Sequence, residues 1–509
     1  MEKIFVNLNN PKNKVDKKIY GHFCEHAFKN IYGGFYDPGN KNSDENGLRK
    51  DVIEKLGRVK PTILRYPGGN FVSNYHWEDG IGPKKDRKKV FEYAWLTEES
   101  NQFGTADFIE VCKQLGAEPY LCINMGTGTV EEAMNWVEYC NGTGDAYYAN
   151  LRRSHGYEEP FGVKYWGLGN EMFGAWQMNY MSADDYAKKA MECAKAMKWA
   201  DPAIKLVACG YEQKSDWNYT VIKKLWQFVD YISAHHYSVK DWGPFDGDNY
   251  LQTMCVPEYM EKLNKLSVAA VLTGMNNDSK DIKIAWDEWN MYGWLFDGVN
   301  DDESYTLQNA IVTACVLNMF INNSDTIGMA NYSTFVNING AVSVKADGIV
   351  ERPQYHVFDL FGNNTGDTLY QATVTGETFS IKMPQSPRLG REVLNINLVN
   401  PESEDKGLSR ITYLSTAVTG DDDGYLYVSI INRHPEKNLD VEINFEKTDL
   451  SLKGEAAYII YNENVEAANT EKNPENVTIK TSAIPAVNGN VCSFNAKKHS
   501  INLLKFKMD

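Results

Sequence analysis

The sequence is poor in positive charge. Its 52 Lys and Arg are outnumbered by 68 Asp and Glu, giving a formal charge of −16 over 509 residues. That balance argues against a surface made for nucleic acid or for anionic lipid. No apolar run is long enough to span a bilayer. The longest, Ala310 to Ile321, is interrupted by Thr313 and Asn318 and reads as a buried helix. The opening Met1-Glu2-Lys3-Ile4-Phe5-Val6 carries no apolar signal stretch, so the expected location is the cytoplasm. The nine Cys are scattered, odd in number and without a CxxC pair. A disulfide framework is thereby excluded and reduced thiols are expected. Neither a GxGxxG nor a GxxxxGK[ST] phosphate loop occurs.

What is plentiful is aromatic: 12 Trp and 30 Tyr, enough for both a core and flat surfaces for a neutral ligand. The apolar fraction of 43% is that of a folded protein, and the length calls for two or more domains. From residue 16 onward, short β-branched and aromatic runs alternate with helical-period segments. Eight such runs stand out: Lys18–Cys24, Ile63–Pro67, Glu118–Met125, Val163–Gly169, Lys205–Gly210, Tyr231–Tyr237, Ile282–Trp289 and Ile327–Tyr332. Between them lie amphipathic stretches such as Thr105–Leu115 and Asp184–Trp199. This alternation predicts parallel strands with crossover helices, an α/β chain folded as a (β/α)8 TIM barrel over residues 16–364. After residue 365 the text becomes alternating strands broken by Asn, Gly, Asp and Pro. An all-β sandwich, jelly-roll-like, is expected over 365–509, joined by the leading strand within residues 1–15. The acidic Asp421-Asp422-Asp423 lacks the ligand spacing of a calcium loop and reads as a solvated turn.

In such a barrel the chemistry sits at the C-terminal ends of the strands. The strand ends here supply His22, Glu25 and His26; Arg65 and Asn70; Asn170 and Glu171; His235, His236 and Tyr237; and Asp287 and Glu288. Glu171 and Glu288, on the fourth and seventh runs, can face each other across the mouth. Two opposed carboxylates, one protonated and one ionised, are what glycoside hydrolysis requires. On that reading one of the two carries the proton, and Arg65 supports the ionised one.

Several stretches together resemble the α-L-arabinofuranosidases of glycoside hydrolase family 51. They are Gly21-His22-Phe23-Cys24-Glu25-His26, Leu64-Arg65-Tyr66-Pro67-Gly68-Gly69-Asn70-Phe71-Val72-Ser73, Tyr75-His76-Trp77-Glu78-Asp79, Gly167–Met172 with Trp176-Gln177, Asp230–Tyr237, and Ala285–Asn290. The resemblance implies a retaining, exo-acting double displacement on arabinose-containing oligosaccharides, arabinan or arabinoxylan fragments. In it Glu171 is the acid/base and Glu288 the nucleophile. It further implies that Asn170, Glu25, Asn70, Tyr237, Trp95 and Gln354 bind the sugar. It implies no cofactor and no metal, and a homo-oligomer, with a hexamer the usual form. The sequence departs from the family pattern at Phe173, where Asp is frequent, and at Gln102, where Glu is common. Around Arg352-Pro353-Gln354 it fits loosely.

Plainer readings stand beside these. His22-Phe23-Cys24-Glu25-His26 has the HxxEH zinc-protease spacing, but that motif needs a helix and this stretch follows a β-rich run. His235 and His236 read as hydrogen-bonded residues of the mouth. Asp287 should point away from Glu288 on a regular strand and reads as structural. Trp166 and Trp286 read as core, Trp289 as core or a sugar platform, and Arg152 and Arg153 as a solvated face or an ion pair. The competing functions are a xylosidase or endoglucanase of the same mechanism, a non-catalytic carbohydrate-binding protein, and a zinc peptidase.

Overall fold

A computed structural model of the chain describes residues 2–238, 249–276, 278–291, 302–382, 407–446, 451–484 and 487–508. All eight predicted runs form one closed parallel barrel. Its strands are, in chain order, Gly21–Phe23, Ile63–Tyr66, Glu118–Cys122, Tyr165–Leu168, Lys205–Ala208, Tyr231–Tyr237, Lys283–Asn290 and Ile327–Tyr332. The first is shorter than its sequence run. Asp16 accepts a hydrogen bond from the Lys18 amide and caps a 3-10 turn over Lys17–Tyr20, so the strand begins only at Gly21. A side chain at Gly21 would meet the Ala330 carbonyl at 2.5 Å, which fixes how closely the last strand approaches.

The crossover helices start where the sequence supplies caps. Thr129 accepts from the Glu132 amide at the head of Val130–Asn141, and Ser182 from the Asp185 amide at the head of Ala183–Ala200. The helix Leu307–Asn322 holds the longest apolar run. It is buried on all sides because it lies between the barrel's neighbouring helices and strands Leu414–Gly420 and Tyr425–Asn432 of the second unit. Arg152, read as a solvated or ion-pairing residue, is instead buried and donates to the carbonyls of Tyr139, Gly142, Tyr157 and Glu158.

The lumen is packed in layers. At the base, Ile63, Tyr120, Tyr165, Val207, Ala285 and Met329 form their own apolar cluster. One step further along the strands the layer turns polar, with Arg65 and Asp287 buried there and the Tyr120 hydroxyl donating to Asp287 at 2.8 Å. The mouth lies above it.

Among the described residues six of the remaining strands pair off as three two-stranded sheets, and the other ten form one sheet. Strand Glu2–Lys14 sits inside it, antiparallel to Thr368–Thr375 and parallel to Leu439–Glu446. Cys492 and Ala457, from near opposite ends of the strand order, share one apolar core with Ile4, Val428 and Ile443. The sheet is therefore folded over on itself. The strand text after residue 365 breaks at Gly376, φ +159°, so that Thr368–Thr375 and Thr378–Lys382 belong to different sheets. A short hairpin, Val487–Asn488 with Val491–Ala496, closes one edge of the sheet. All nine cysteines are buried, and none forms a disulfide among the described residues. Among the described residues no helix is long and apolar enough to cross a membrane.

Candidate active site

The fourth barrel strand ends in a sharp turn. Gly169 has φ +80° and Glu171 has φ +43°. A side chain at Gly169 would meet Met125 Cβ at 2.6 Å, so the turn admits only glycine there. A left-handed glutamate costs about 1–3 kcal/mol, a strain that recurs at functional sites. Asn170 and Glu171 are held over the mouth, and Trp176, from the following loop, donates its indole N–H to Glu171 Oε2 at 2.6 Å.

The seventh strand brings Glu288 to the same place. Its Oε1 accepts from Arg65 Nη1 at 2.6 Å and its Oε2 from the Tyr237 hydroxyl at 2.6 Å. The Tyr237 oxygen also accepts from the Ser333 hydroxyl at 2.7 Å. Arg65 spends its other nitrogens on Asn170 Oδ1, at 2.7 Å, and on Asp287 Oδ2, at 3.5 Å from Nε. One buried guanidinium thus ties strands two, four and seven together.

The expectation that Asp287 points away from Glu288 fails. The register of the seventh strand slips between Ala285 and Glu288 against one neighbour and between Trp286 and Trp289 against the other. A bulge adds a residue to one strand and breaks the two-residue alternation. Both carboxylates therefore reach the lumen, and Asp287 pairs with Arg65, Tyr120 and His235.

His235 is the residue that sequence reasoning undervalued. Its Nδ1 lies 2.9 Å from Glu171 Oε1 and 3.7 Å from Glu288 Oε2, and its Nε2 lies 3.2 Å from Asp287 Oδ1. Burial disfavours the imidazolium, but Glu288, Asp287 and Glu171 outweigh burial and hold His235 well above its ordinary range. The effect on Glu171 is reciprocal. Burial pushes its carboxyl up, yet the hydrogen bond and charge of His235, with help from Trp176 and Arg65, leave it below the usual value. Glu171 and His235 are thus a coupled pair, one hydrogen bond apart. A histidine paired to three acids across strand ends has no local sequence signature.

A second group adjoins the first through the Gly68-Gly69 turn. Glu25 Oε1 accepts from the amides of Gly69 and Phe71, at 3.0 and 3.2 Å, and from the Trp95 indole at 3.2 Å. Burial, then the charge of Glu288, pushes the Glu25 carboxyl up to about 8. A side chain at Gly69 would stand 2.9 Å from Glu288 Oε1, so this glycine leaves the mouth open. Asn70 is half-buried and opens the 3-10 segment Asn70–Asn74 just beyond it.

The other candidates are placed as follows. Gln354 is fully buried in the first turn of Pro353–Asn363, and neither amide atom finds a hydrogen bond among the described residues. Gln102 donates to the carbonyls of Lys84 and Ser100 and shapes that loop. Phe173 stacks on Tyr211 with centroids 3.8 Å apart and meets Trp217 and Trp176 edge-on. Trp289 is buried among Phe320, Tyr332 and Phe358, which makes it core. His22 is packed by Phe335 and Phe358 while His26 pairs with Glu99, so the HxxEH spacing builds no shared metal site. One trio among the described residues has ligand-like spacing, Glu171, His235 and Glu288, with donor atoms within 4.8 Å of one another. His235 Nδ1 is committed to Glu171 and Arg65 to Glu288, so two protein cations already occupy the charge a metal would take.

Paired carboxylates at opposed strand ends, braced by an arginine, a histidine and a tyrosine, define a barrel glycosidase. Family models agree: one for an α-L-arabinofuranosidase 1 domain matches residues 55–253, and one for an α-L-arabinofuranosidase C-terminal domain matches 287–500. The chain is similar to α-L-arabinofuranosidase C of Emericella nidulans, 38% identical over 85% of this chain and 84% of the relative. It is similar to an intracellular exo-α-(1→5)-L-arabinofuranosidase of Halalkalibacterium halodurans, 31% identical over 97% and 96%. The α-L-arabinofuranosidase of Thermotoga maritima, solved as an arabinose complex, superposes with a TM-score of 0.87 at 37% identity, with all of both chains covered. The chain belongs to the α-L-arabinofuranosidases of glycoside hydrolase family 51.

Proposed function

We propose that the enzyme releases terminal, non-reducing α-L-arabinofuranosyl units by retaining double displacement, with Glu288 as nucleophile and Glu171 as acid/base. The observation that carries this is the spacing: an oxygen of Glu171 and one of Glu288 lie within 4.8 Å. Retaining enzymes hold their carboxyl groups about 5–5.5 Å apart, whereas inverting ones leave about 6.5–9.5 Å for a water.

In the first step Glu288 attacks the anomeric carbon and a proton passes to the leaving oxygen from Glu171, which draws it from His235 along their hydrogen bond. The product is an arabinosyl ester on Glu288 and a free alcohol. In the second step Glu171 accepts a proton from water as the water oxygen attacks the same carbon and frees Glu288, and that proton passes back to His235 along their hydrogen bond. Tyr237 and Arg65 orient Glu288 throughout. Asn170, anchored by Arg65, presents its amide nitrogen to the sugar hydroxyl next to the reacting carbon. Glu25, Asn70, Trp95 and Gln354 are assigned to the rest of the sugar and the leaving-group side. Residues 16–364 are the catalytic unit, and 1–15 with 365–509 the sheet unit packed on it.

The name of the Halalkalibacterium relative supports α-(1→5)-linked arabino-oligosaccharides as substrate and a cytoplasmic location. A homo-oligomer, hexameric by the family resemblance, is the proposed assembly, to be read by light scattering. The test of the reaction is hydrolysis of nitrophenyl arabinofuranoside followed by NMR. Release of the retained anomer is expected, with a fluorinated arabinofuranosyl inhibitor trapped on Glu288. Cleavage of nitrophenyl xyloside or cellobioside in its place would move the assignment to the xylosidase or endoglucanase reading.

A further inference from the structure

Beside the catalytic mouth, a pocket of about 370 Å³ opens between the 3-10 segments Asn70–Asn74 and Trp77–Gly80 on one side and the hairpin Val90–Glu92 with Thr97–Glu99 on the other. Its rim is aromatic. Phe91 is 48% and Tyr93 59% exposed, and their rings meet edge to face at 5.2 Å. Exposed rings on a hairpin tip are costly to leave in water unless they cover something.

The pocket's depth is polar. Asn74, Asp79 and Asn101 line it. Asn101 is 1% exposed and rigidly held: its amide N–H donates to Glu99 at 2.5 Å, its Nδ2 donates to the Lys88 carbonyl at 2.7 Å, and its φ is +54°. Its Oδ1 has no hydrogen-bond partner among the described residues. Aromatic rings over polar side chains, in a volume at the small end of ligand sites, suit a neutral sugar ring.

Both walls of this pocket also reach Glu25. Phe71 lines the pocket, and its amide donates to Glu25. On the hairpin, Glu92 accepts from the amides of Ala94 and Trp95, each at 2.7 Å, and thereby sets the Trp95 indole that donates to the same Glu25 oxygen. The pocket is thus continuous in structure with the wall of the proposed sugar site.

We propose that this pocket is a remote subsite that binds a neutral sugar unit of the chain attached to the scissile arabinose. The inference rests on the arabinofuranosidase reading above and deepens it. It predicts that the enzyme distinguishes long from short leaving groups through residues that take no part in the chemistry.

The experiment compares the parent with a Phe91→Ala/Tyr93→Ala variant, whose changes are at the surface and leave the fold intact. Three substrates are used: nitrophenyl arabinofuranoside, linear arabinotetraose and an arabinosyl-substituted xylotetraose. On the nitrophenyl substrate kcat/KM should stay within about twofold. On at least one oligosaccharide it should fall about two- to tenfold beyond that, through KM, the size of a lost ring contact. The arm that falls identifies the chain type. An equal fall on all three substrates, or no fall on either oligosaccharide, overturns the proposal. So does a change of mass by light scattering, which would show that the rings pack between copies of the chain. A parent inactive on nitrophenyl arabinofuranoside would instead remove the arabinofuranosidase reading beneath it.

Discussion

His235 Nδ1 and Glu171 Oε1 lie 2.9 Å apart, and each shifts the other: the imidazole is raised above its ordinary range and the carboxyl lowered below its own. Acid catalysis therefore depends on a pair, which titrates as one unit with macroscopic values. Replacing His235 by Gln keeps a donor but removes the site that stores the proton. The alkaline limb of the kcat/KM profile should then move to lower pH, because Glu171 alone releases its proton more readily than the pair does. A limb that stays in place while the rate falls would refute the shared-proton arrangement.

The two carboxylates should separate kinetically. Glu288→Ala removes the nucleophile and should cost on the order of 10⁴-fold in kcat or more. Glu171→Ala should cost about 10²–10⁴-fold on poor leaving groups and much less on nitrophenyl substrates, which leave without protonation. Added azide should restore part of the Glu171→Ala rate by attacking the arabinosyl ester. Stopped assays with and without azide decide it, and near-parental rates in both variants would end the assignment.

Arg65 is 1% exposed and sits among Asp287, Glu288 and Asn170. An Arg65→Met substitution leaves two buried carboxylates without their guanidinium. It should lower stability by about 3–5 kcal/mol, read as a shift in the urea midpoint. The adjacent pair Asp287→Asn and Arg65→Met should be non-additive, since each removes the other's partner.

Glu212 is buried beside the His235 backbone, and burial raises its carboxyl to about 7 against an ordinary value near 4.5. Between those values the folded state binds a proton that the unfolded chain does not. This contribution is thus full below about pH 4.5 and is lost as pH rises toward 7. Glu212→Gln cannot ionise and should lose less stability over that interval than the parent. The difference in melting temperature between pH 5 and pH 8 should shrink by about 1–3 °C in the variant. An unchanged difference would mean that Glu212 is already ionised in the fold.

Much of this protein is legible in its residues one after another. Each barrel strand is a local apolar run bounded by turn signals, so all eight could be read before any contact was known. The positions of Glu171 and Glu288 followed from the strand ends, because a parallel barrel gathers those ends at one face. The buried helix Leu307–Asn322 was visible for the same reason, as an apolar run too short for a membrane. What the sequence could not carry were properties set by distant partners. A two-residue alternation holds only while the ladder stays in register, and the slip at Trp286–Glu288 is imposed by neighbours on both sides. That slip placed Asp287 in the lumen. The insertion of Glu2–Lys14 between Thr368–Thr375 and Leu439–Glu446 joins segments more than 350 residues apart. The electrostatics of the active site were decided last, because the shift of Glu171 depends on His235, and that of His235 on three carboxylates from two different strands. Composition and period fixed the elements and their order. Only the folded arrangement, through distance and burial, set how these groups shift one another.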